Sequence, residues 1–455
     1  MSGSNVTKAQ LVAFSLPMTS MWFMHGPVVG IMPALYSKYF GLSLATIGTI
    51  MLVSRIFDAV TDPMIGYLSD HTKSPLGRRK PWIIAGSSLS LLCVYFLFIP
   101  PDAPSAYYYG FWSILLFLAW TMSEIPYSAW GTEITRSYEG RSTTFTYRAS
   151  FREMGSLTFL MVPIVLFYLG FAETTEITPA VLEVVAWGIM IILPVTVFIA
   201  VFYAPTGNEV ATTNRFTLSE LAESLRVNKP FRAFLPVYII SGISVGMYGA
   251  MSFIYMDSYL LIGDKYSHVH VLALIVQLVS YPVWLKIVHI FGKNRTWSVS
   301  NMLFGLGIMP IALLTPGAES FAPYLALYLF GALAQGAGGI VPPSMLSDVI
   351  DYDILKTGVN RAGSYISLTT LLFKTNIAIG SALAFYLLSM FGFDPTATEQ
   401  TELGTLGVNI TALFIPGAGF AIAGICLWFF PLNRRRAGIV QKRIEQRAAR
   451  LQAVA

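Results

Sequence analysis

Charge and cysteine are what this chain has little of. Charged residues make up 12% of its 455 positions, against about 25% in soluble domains. So few charges cannot clothe a water-exposed surface, and soluble globular classes are excluded. There are two cysteines, Cys93 and Cys426. Both fall inside long apolar runs, read as small inert hydrophobes, and report no redox compartment. The sequence also has no Walker loop, no His/Cys cluster at metal-ligand spacing and no nucleophile elbow. Those absences argue against an enzyme and against a bound cofactor or metal, save a monovalent coupling cation. The opening MSGSNVTKAQ lacks a basic segment, short apolar stretch and small-residue cleavage site, so no secretory leader is expected.

What is abundant is apolar length. Hydrophobic residues reach 55% and the mean hydropathy is +0.63. The runs are long enough to cross a ~30 Å hydrocarbon core as helices of about 20 residues. A membrane β-barrel would instead show alternating segments of about ten residues. Twelve candidate spans follow, at roughly 10–38, 44–69, 82–100, 106–133, 148–171, 180–204, 233–260, 268–291, 296–315, 322–350, 363–391 and 409–431. The expected fold is all-α and integral to the membrane.

The charges that remain are partitioned. Lys73, Arg78, Arg79 and Lys80 lie between spans 2 and 3, and Arg136 and Arg141 follow span 4. Arg215, Arg226, Lys229 and Arg232 separate spans 6 and 7; Lys293 and Arg295 follow span 8, and Lys356 and Arg361 follow span 10. The tail adds Arg434, Arg435, Arg436, Lys442, Arg443, Arg447 and Arg450. The opposite loops hold only Lys38 and Lys265, among acids such as Asp102, Glu173, Glu176, Glu319, Glu399 and Glu402. By the positive-inside rule both termini are cytoplasmic, in a plasma or bacterial inner membrane. The net charge of +5 therefore follows topology and is no sign of nucleic-acid binding. The expected partners are a small molecule and membrane lipid, with the chain acting as a monomer.

The longest cytoplasmic connection, 205–232, divides the chain into a bundle at 1–204 and a bundle at 233–431, followed by a basic tail at 432–455. Within the connection, Leu218, Leu221 and Leu225 recur at helical spacing, and Thr217 with Glu220 resembles a capping box. An amphipathic surface helix joining the halves is expected; a regulatory partner site is the alternative. A weak repeat supports the division. Span 2 ends DPMIGYLSD…GRRKPW and span 8 ends YPVWLKIVHIFGKNRTW, each with a late Pro, then Gly, basic residues and Trp. Spans 4 and 10 echo each other in SEIPYSAWGTEI and VPPSMLSDVIDYD. Parallel repeats of this kind point to two six-helix bundles with a substrate site near mid-membrane. Gly331, Gly336, Gly338, Gly339 and Gly380 in spans 10 and 11 permit close helix packing or a hinge.

The most informative residues are Asp58 and Asp62, inside span 2. A carboxylate at bilayer depth costs several kcal/mol unless paired, hydrated or neutralised, so it marks a functional site. Four residues apart, the two share one helix face. The repeat places Gln277 and Tyr281 opposite them, so the acids are not needed merely to build a bundle. Two close carboxylates cannot both stay charged cheaply; they titrate as a unit and accept a small cation or a proton. Asp58 has a local alternative, pairing with Arg55 one turn earlier.

The run Asp58-Ala-Val-Thr-Asp62-Pro63-Met-Ile-Gly66, continuing to Asp70 and Gly77-Arg78-Arg79-Lys80-Pro81-Trp82, resembles the glycoside–pentoside–hexuronide:cation symporters of the major facilitator superfamily, which include the melibiose permeases. Asp348-Val-Ile-Asp351-Tyr352-Asp353, Lys356-Thr357-Gly358 and Arg361 resemble that family's loop between spans 10 and 11. The likeness covers essentially the whole chain. It implies twelve transmembrane helices in two parallel six-helix bundles and uptake of a sugar, glycoside or hexuronide with Na⁺, H⁺ or Li⁺. It also implies that Asp58 and Asp62 bind the cation, with Thr61 where melibiose permeases have Asn and Thr121 as a nearby hydroxyl. By the same resemblance Glu124 stands at a sugar-binding Asp, Arg148 matches an Arg opening span 5, and Lys374 matches a Lys near both sites. Thr369 and Thr370 lie on the preceding turns of the Lys374 helix.

Two positions depart from the pattern. Trp22 stands where span 1 has a second sugar-binding Asp, and Gly339 stands where span 10 has a sugar-contacting Trp. Galactoside specificity is therefore not carried over. Trp22, His25, Tyr127 and Trp130 are candidate cavity residues with polar handles, against the alternative of packing or interface anchoring. Glu124 has Arg148 or Arg152 as structural partners, and Lys374 has the alternative of a counter-ion that holds the halves together. Asp70, Arg78, Arg79 and Lys80, with Asp351 and Arg361, are candidate gating residues; lipid-headgroup contact is the alternative. A rival function is a lipid or lysolipid carrier of the same fold. It requires an apolar cavity, whereas Glu124, Arg148, Lys374 and the threonines favour a polar one.

Overall fold

The structure, a computed structural model, describes residues 6–134, 138–206, 226–358, 361–397 and 399–454. Among them the regular structure is entirely helical. The helices are α1 (Lys8–Gly30), α2 (Met32–Phe40), α3 (Leu44–His71), α4 (Lys80–Phe98), α5 (Ala106–Ile134), α6 (Tyr138–Tyr168) and α7 (Pro179–Tyr203). They continue as α8 (Lys229–Ile254), α9 (Tyr266–Phe291), α10 (Lys293–Ile308), α11 (Phe321–Thr357), α12 (Ala362–Met390), α13 (Glu402–Asn409), α14 (Ile415–Trp428) and α15 (Arg434–Val454). The linker helix expected around Thr217, Leu218, Glu220, Leu221 and Leu225 lies outside the described residues, as do Arg136, Arg215 and the side chains of Arg141, Arg447 and Arg450.

Local chemistry sets the boundaries. Thr7 and Gln10 form a reciprocal capping box at the start of α1, and Asn228 Oδ1 accepts the Phe231 amide at the start of α8. Gly41 and Gly358 end α2 and α11 in the left-handed region that glycine enters without strain. The first apolar run breaks at Ile31, because Pro33 has no N–H to continue the ladder toward Val29. Proline elsewhere is carried inside the helices, as Pro63 in α3 and Pro282 in α9. Membrane helices tolerate this because neighbours satisfy the freed carbonyls.

Ten helical segments among the described residues are long and apolar enough to cross a membrane. The runs expected at 10–38 and 106–133 are helical as α1, α2 and α5, but lie outside those ten. In α5 the reason is visible: Ser123, Glu124, Ser128, Thr132 and Glu133 interrupt its apolar character.

The chain divides into two compact units. The first comprises Met1–Ala211 with Gly263–His268 and Asp394–Glu399; the second comprises Thr212–Ile262, Val269–Phe393 and Gln400–Ala455. In the first, α1 packs on α6 and α7, α4 on α5 and α7, and α3 on α5. In the second, α10 packs on α14 and α11, while α8 packs on α12 and α14. Glycines make the closest crossings. A Cβ at Gly380 would overlap the Ile243 carbonyl, and one at Gly336 would overlap Ser280 and Trp284. Tight packing, the plainer of the two readings of these small residues, accounts for both positions.

Candidate cation and substrate sites

Helical periodicity puts Arg55, Asp58 and Asp62 on one face of α3, the face turned to α5. The Arg55 guanidinium donates to Asp58 at 2.9 Å and lies 4.4 Å from the centre of the Phe117 ring of α5. Thr121 Oγ1, also on α5, donates to Asp62 Oδ1 at 2.9 Å. The Thr61 hydroxyl is buried and donates back to the Phe57 carbonyl at 3.1 Å. Its hydrogen is thereby committed, leaving lone pairs for a ligand. The two helices thus bring the Asp62 carboxylate and the Thr121 hydroxyl together, with Asp58 on the same face of α3 and Thr61 adjacent in the chain. Hard monovalent cations take such oxygen donors. Among the described residues no group of three or more His, Cys, Asp or Glu is placed to hold a metal ion. The local Arg55 partner is present and pairs with Asp58, while Asp62 accepts from the Thr121 hydroxyl.

One turn along α5, Glu124 forms an ion pair with Arg148 of α6. Ser128 closes the group: its hydroxyl donates to Glu124 at 3.2 Å and accepts from Arg148 at 2.7 Å. Arg148 also lies over the Tyr127 ring, 4.9 Å from its centre. Of the two partners expected for Glu124, the structure selects Arg148. Arg152 instead bonds to Glu153 at 2.6 Å and lies over the Trp22 ring. The pairing is incomplete. Glu124 Oε2, Arg148 Nε and Trp22 Nε1 are buried without a hydrogen-bond partner among the described residues. Buried polar atoms left open cost about 1–3 kcal/mol each and mark a place where a polar ligand completes the network.

The aromatic candidates divide. His25 stacks on Trp120 with ring centres 3.8 Å apart, and Trp22 meets both edge-on. Tyr127 and Trp130 are fully buried. Their handles are committed to the Phe14 carbonyl at 2.6 Å and the Pro205 carbonyl at 2.8 Å. These two rings build the wall behind the site, which is the packing alternative stated for them.

At the end of α3 the basic run converges on one acid. Arg78 reaches Glu133 at 2.8 Å and Arg79 reaches it at 3.0 Å. Arg79 also pairs with Asp70 and donates to Ser69 at 2.8 Å. Lys80 instead donates to the Val201 and Ala204 carbonyls at the end of α7, where the helix dipole favours a cation. Sequence reasoning missed Glu133 and Ser128. The signal for Glu133 was an acid closing span 4 on the same side as the basic run between spans 2 and 3. Ser128 left no comparable signal.

In the second unit, Lys293 pairs with Asp348 at 2.7 Å. Asp351 lies near Gln441 of α15, and Arg361 is the residue at the N-cap position of α12. Lys374 is half-buried on α12. The Thr369 and Thr370 hydroxyls donate to carbonyls of their own helix at 2.9 and 2.8 Å. Gly339 has a neighbour that fills its missing side chain: a Cβ there would lie 3.0 Å from the Tyr281 hydroxyl. An aromatic ring therefore does stand at this point of α11, supplied by α9.

The family model for MFS/sugar transport proteins matches residues 13–434. The chain belongs to that family. The chain is 24% identical over 430 residues to the uncharacterized symporter YnaJ of Bacillus subtilis, covering 90% of this chain and 89% of the relative. It is 24% identical over 414 residues to the isoprimeverose transporter of Lactiplantibacillus pentosus, covering 88% and 83%. A crystal structure of a mutant nucleoside transporter NupG shares the fold, with TM-score 0.66 at 13% identity over 93% of this chain and 99% of that one. The family is that of the glycoside–pentoside–hexuronide:cation symporters. Its members are integral membrane transporters driven by a coupling cation, and not enzymes.

Proposed function

We propose that this symporter takes up a sugar, glycoside or hexuronide together with Na⁺ or H⁺, by alternating access of two six-helix halves with both termini cytoplasmic. Asp58, Asp62, Thr61 and Thr121 are assigned to the cation. Glu124, Arg148, Trp22 and His25 are assigned to the substrate, with Tyr127 and Trp130 holding them in place. The second unit's contribution is assigned to Thr369, Thr370 and Lys374. Glu133, Asp70, Arg78 and Arg79 in the first unit, and Asp351 and Arg361 in the second, are assigned to gating on the cytoplasmic side.

One observation carries the reading. Thr121, bonded to Asp62, and Glu124, bonded to Arg148, stand one turn apart on α5. A single helix therefore touches both candidate sites. A cation that draws Asp62 inward shifts Thr121, and the shift reaches Glu124 through a rigid turn. The open atoms of Glu124, Arg148 and Trp22 suit a polyol, which offers hydroxyls as both donors and acceptors. A substrate without hydroxyls or charged oxygens would leave such atoms unsatisfied.

Calorimetric titration of candidate glycosides and uronates at several Na⁺ concentrations and pH values tests the reading. The cation should raise substrate affinity, and the substrate should raise cation affinity by the same factor. A substrate affinity indifferent to both ions would identify a uniporter and overturn the assignment.

A further inference from the structure

Transport as proposed makes no use of a cavity of about 520 Å³ beneath the C-terminal helix α15. Lys229 at the start of α8, Lys356 at the end of α11, and Arg436 and Arg443 of α15 all line it. No carboxylate is among the described residues lining it. Its floor is apolar, with Leu432 and Val440 buried. Val440 belongs to the second unit's hydrophobic core, so α15 is fastened by its apolar side and holds two arginines over the opening. The Lys356 ammonium sits 5.8 Å from the centre of the Tyr352 ring, which also lines the cavity.

Four cations around one hollow repel one another unless an anion lies between them. The volume falls within the ~300–1,000 Å³ typical of small-molecule sites. Depth identifies the occupant. The cavity begins at Pro431, directly after α14 ends with Trp428 and Phe429 exposed at 46% and 78%. Arg295 lies 5.4 Å over the Trp428 ring. Exposed aromatics beside a cation at a helix end mark the level of the lipid headgroups. A free phosphate has no use for the apolar floor, whereas the glycerol and first methylenes of a lipid do.

We propose that this cavity binds the headgroup of an anionic phospholipid. Its phosphate lies among Lys229, Lys356, Arg436 and Arg443, and its glycerol rests on Leu432 and Ile439. The inference takes from the proposed function only the membrane orientation. It gives the basic tail a specific ligand in place of diffuse attraction to a charged surface.

Native mass spectrometry of the full-length protein, mixed with phosphatidylglycerol or phosphatidylcholine, is the test. Phosphatidylglycerol should be retained in preference to phosphatidylcholine. Each cation near an anionic lipid is worth about fivefold in affinity, so Arg436→Gln with Arg443→Gln should lower retention about 25-fold. Lys229→Gln with Lys356→Gln, on other helices, should do the same. Arg435→Gln with Lys442→Gln removes equal charge from exposed positions outside the lining and should change retention by less than about twofold, since screening weakens distant charges. Melting temperatures in phosphatidylcholine confirm that each variant is folded; if one lining pair is not, the other carries the test. Equal loss from the control pair would show diffuse attraction and overturn the site. Displacement of the lipid by millimolar inorganic phosphate, or an equal melting shift from phosphate alone, would assign the cavity to a free anion and overturn the lipid.

Discussion

The helices α3 and α9 each carry a late proline and are each followed by a glycine, basic residues and a tryptophan, yet only α3 carries acids in its middle. Asp58 and Asp62 of α3 correspond in the repeat to Gln277 and Tyr281 of α9. Each helix still reaches the neighbour its pattern requires. The Arg79 side chain beyond α3 meets Glu133 of α5, and Lys293 beyond α9 meets Asp348 of α11. The repeat therefore preserved the ion pair at the end of the helix and abandoned the acids in its middle. What each unit needs in order to pack is common to both. What is charged and costly is present once. Tyr281 shows what the other unit did with the same position: its hydroxyl fills the space beside Gly339.

Removing the asymmetry at its source should have the largest effect. Asp62→Asn keeps the shape and the contact with Thr121 but removes the charge, making α3 as neutral there as α9. Cation-driven accumulation in membrane vesicles should fall to the level of simple equilibration, while substrate binding by calorimetry persists. Uphill accumulation by this variant would remove Asp62 from the coupling site.

The two end-of-helix ion pairs sharpen the comparison further. Glu133 is 6% exposed on its side chain and serves two arginines, whereas Lys293 in the other pair is 31% exposed. Breaking a buried pair from one side costs about 3–5 kcal/mol, and a solvent-screened one about 1 kcal/mol or less. Glu133→Gln should therefore lower stability against denaturant several times more than Asp348→Asn. Equal losses would mean that the two units depend on these pairs alike.

Thr121→Val should have the smallest effect. It removes one neutral donor to a carboxylate, worth about 1.5–3 kcal/mol at most. Cation affinity, read by calorimetry, should weaken by roughly tenfold, with coupling retained. No change would mean that Thr121 only packs α5 against α3.

The sequence by itself determined the class of molecule. Scarce charge, long apolar runs and basic residues on alternate loops leave an integral helical protein, because hydrocarbon admits only backbone that satisfies itself. It also singled out Asp58 and Asp62, since a carboxylate in a membrane helix is costly, while Thr121 came from the family resemblance. Glu124 was legible through the same resemblance. Its partner was not: Arg148 and Arg152 lie one turn apart on α6, and only the rotation of that helix against α5 decided for Arg148. Tertiary structure alone placed Glu133 at the centre of the basic run, sent Lys80 to the carbonyls of α7, and buried Tyr127 and Trp130 behind the site. It alone gathered Lys229, Lys356, Arg436 and Arg443 around one cavity from three separate helices. The physical reason is common to these cases. Periodicity fixes which face of a helix a residue occupies, but the partner it finds there depends on which helix packs against that face. That choice is made by close small-residue crossings such as Gly246 and Gly380, whose sequence signal says that something approaches without saying what.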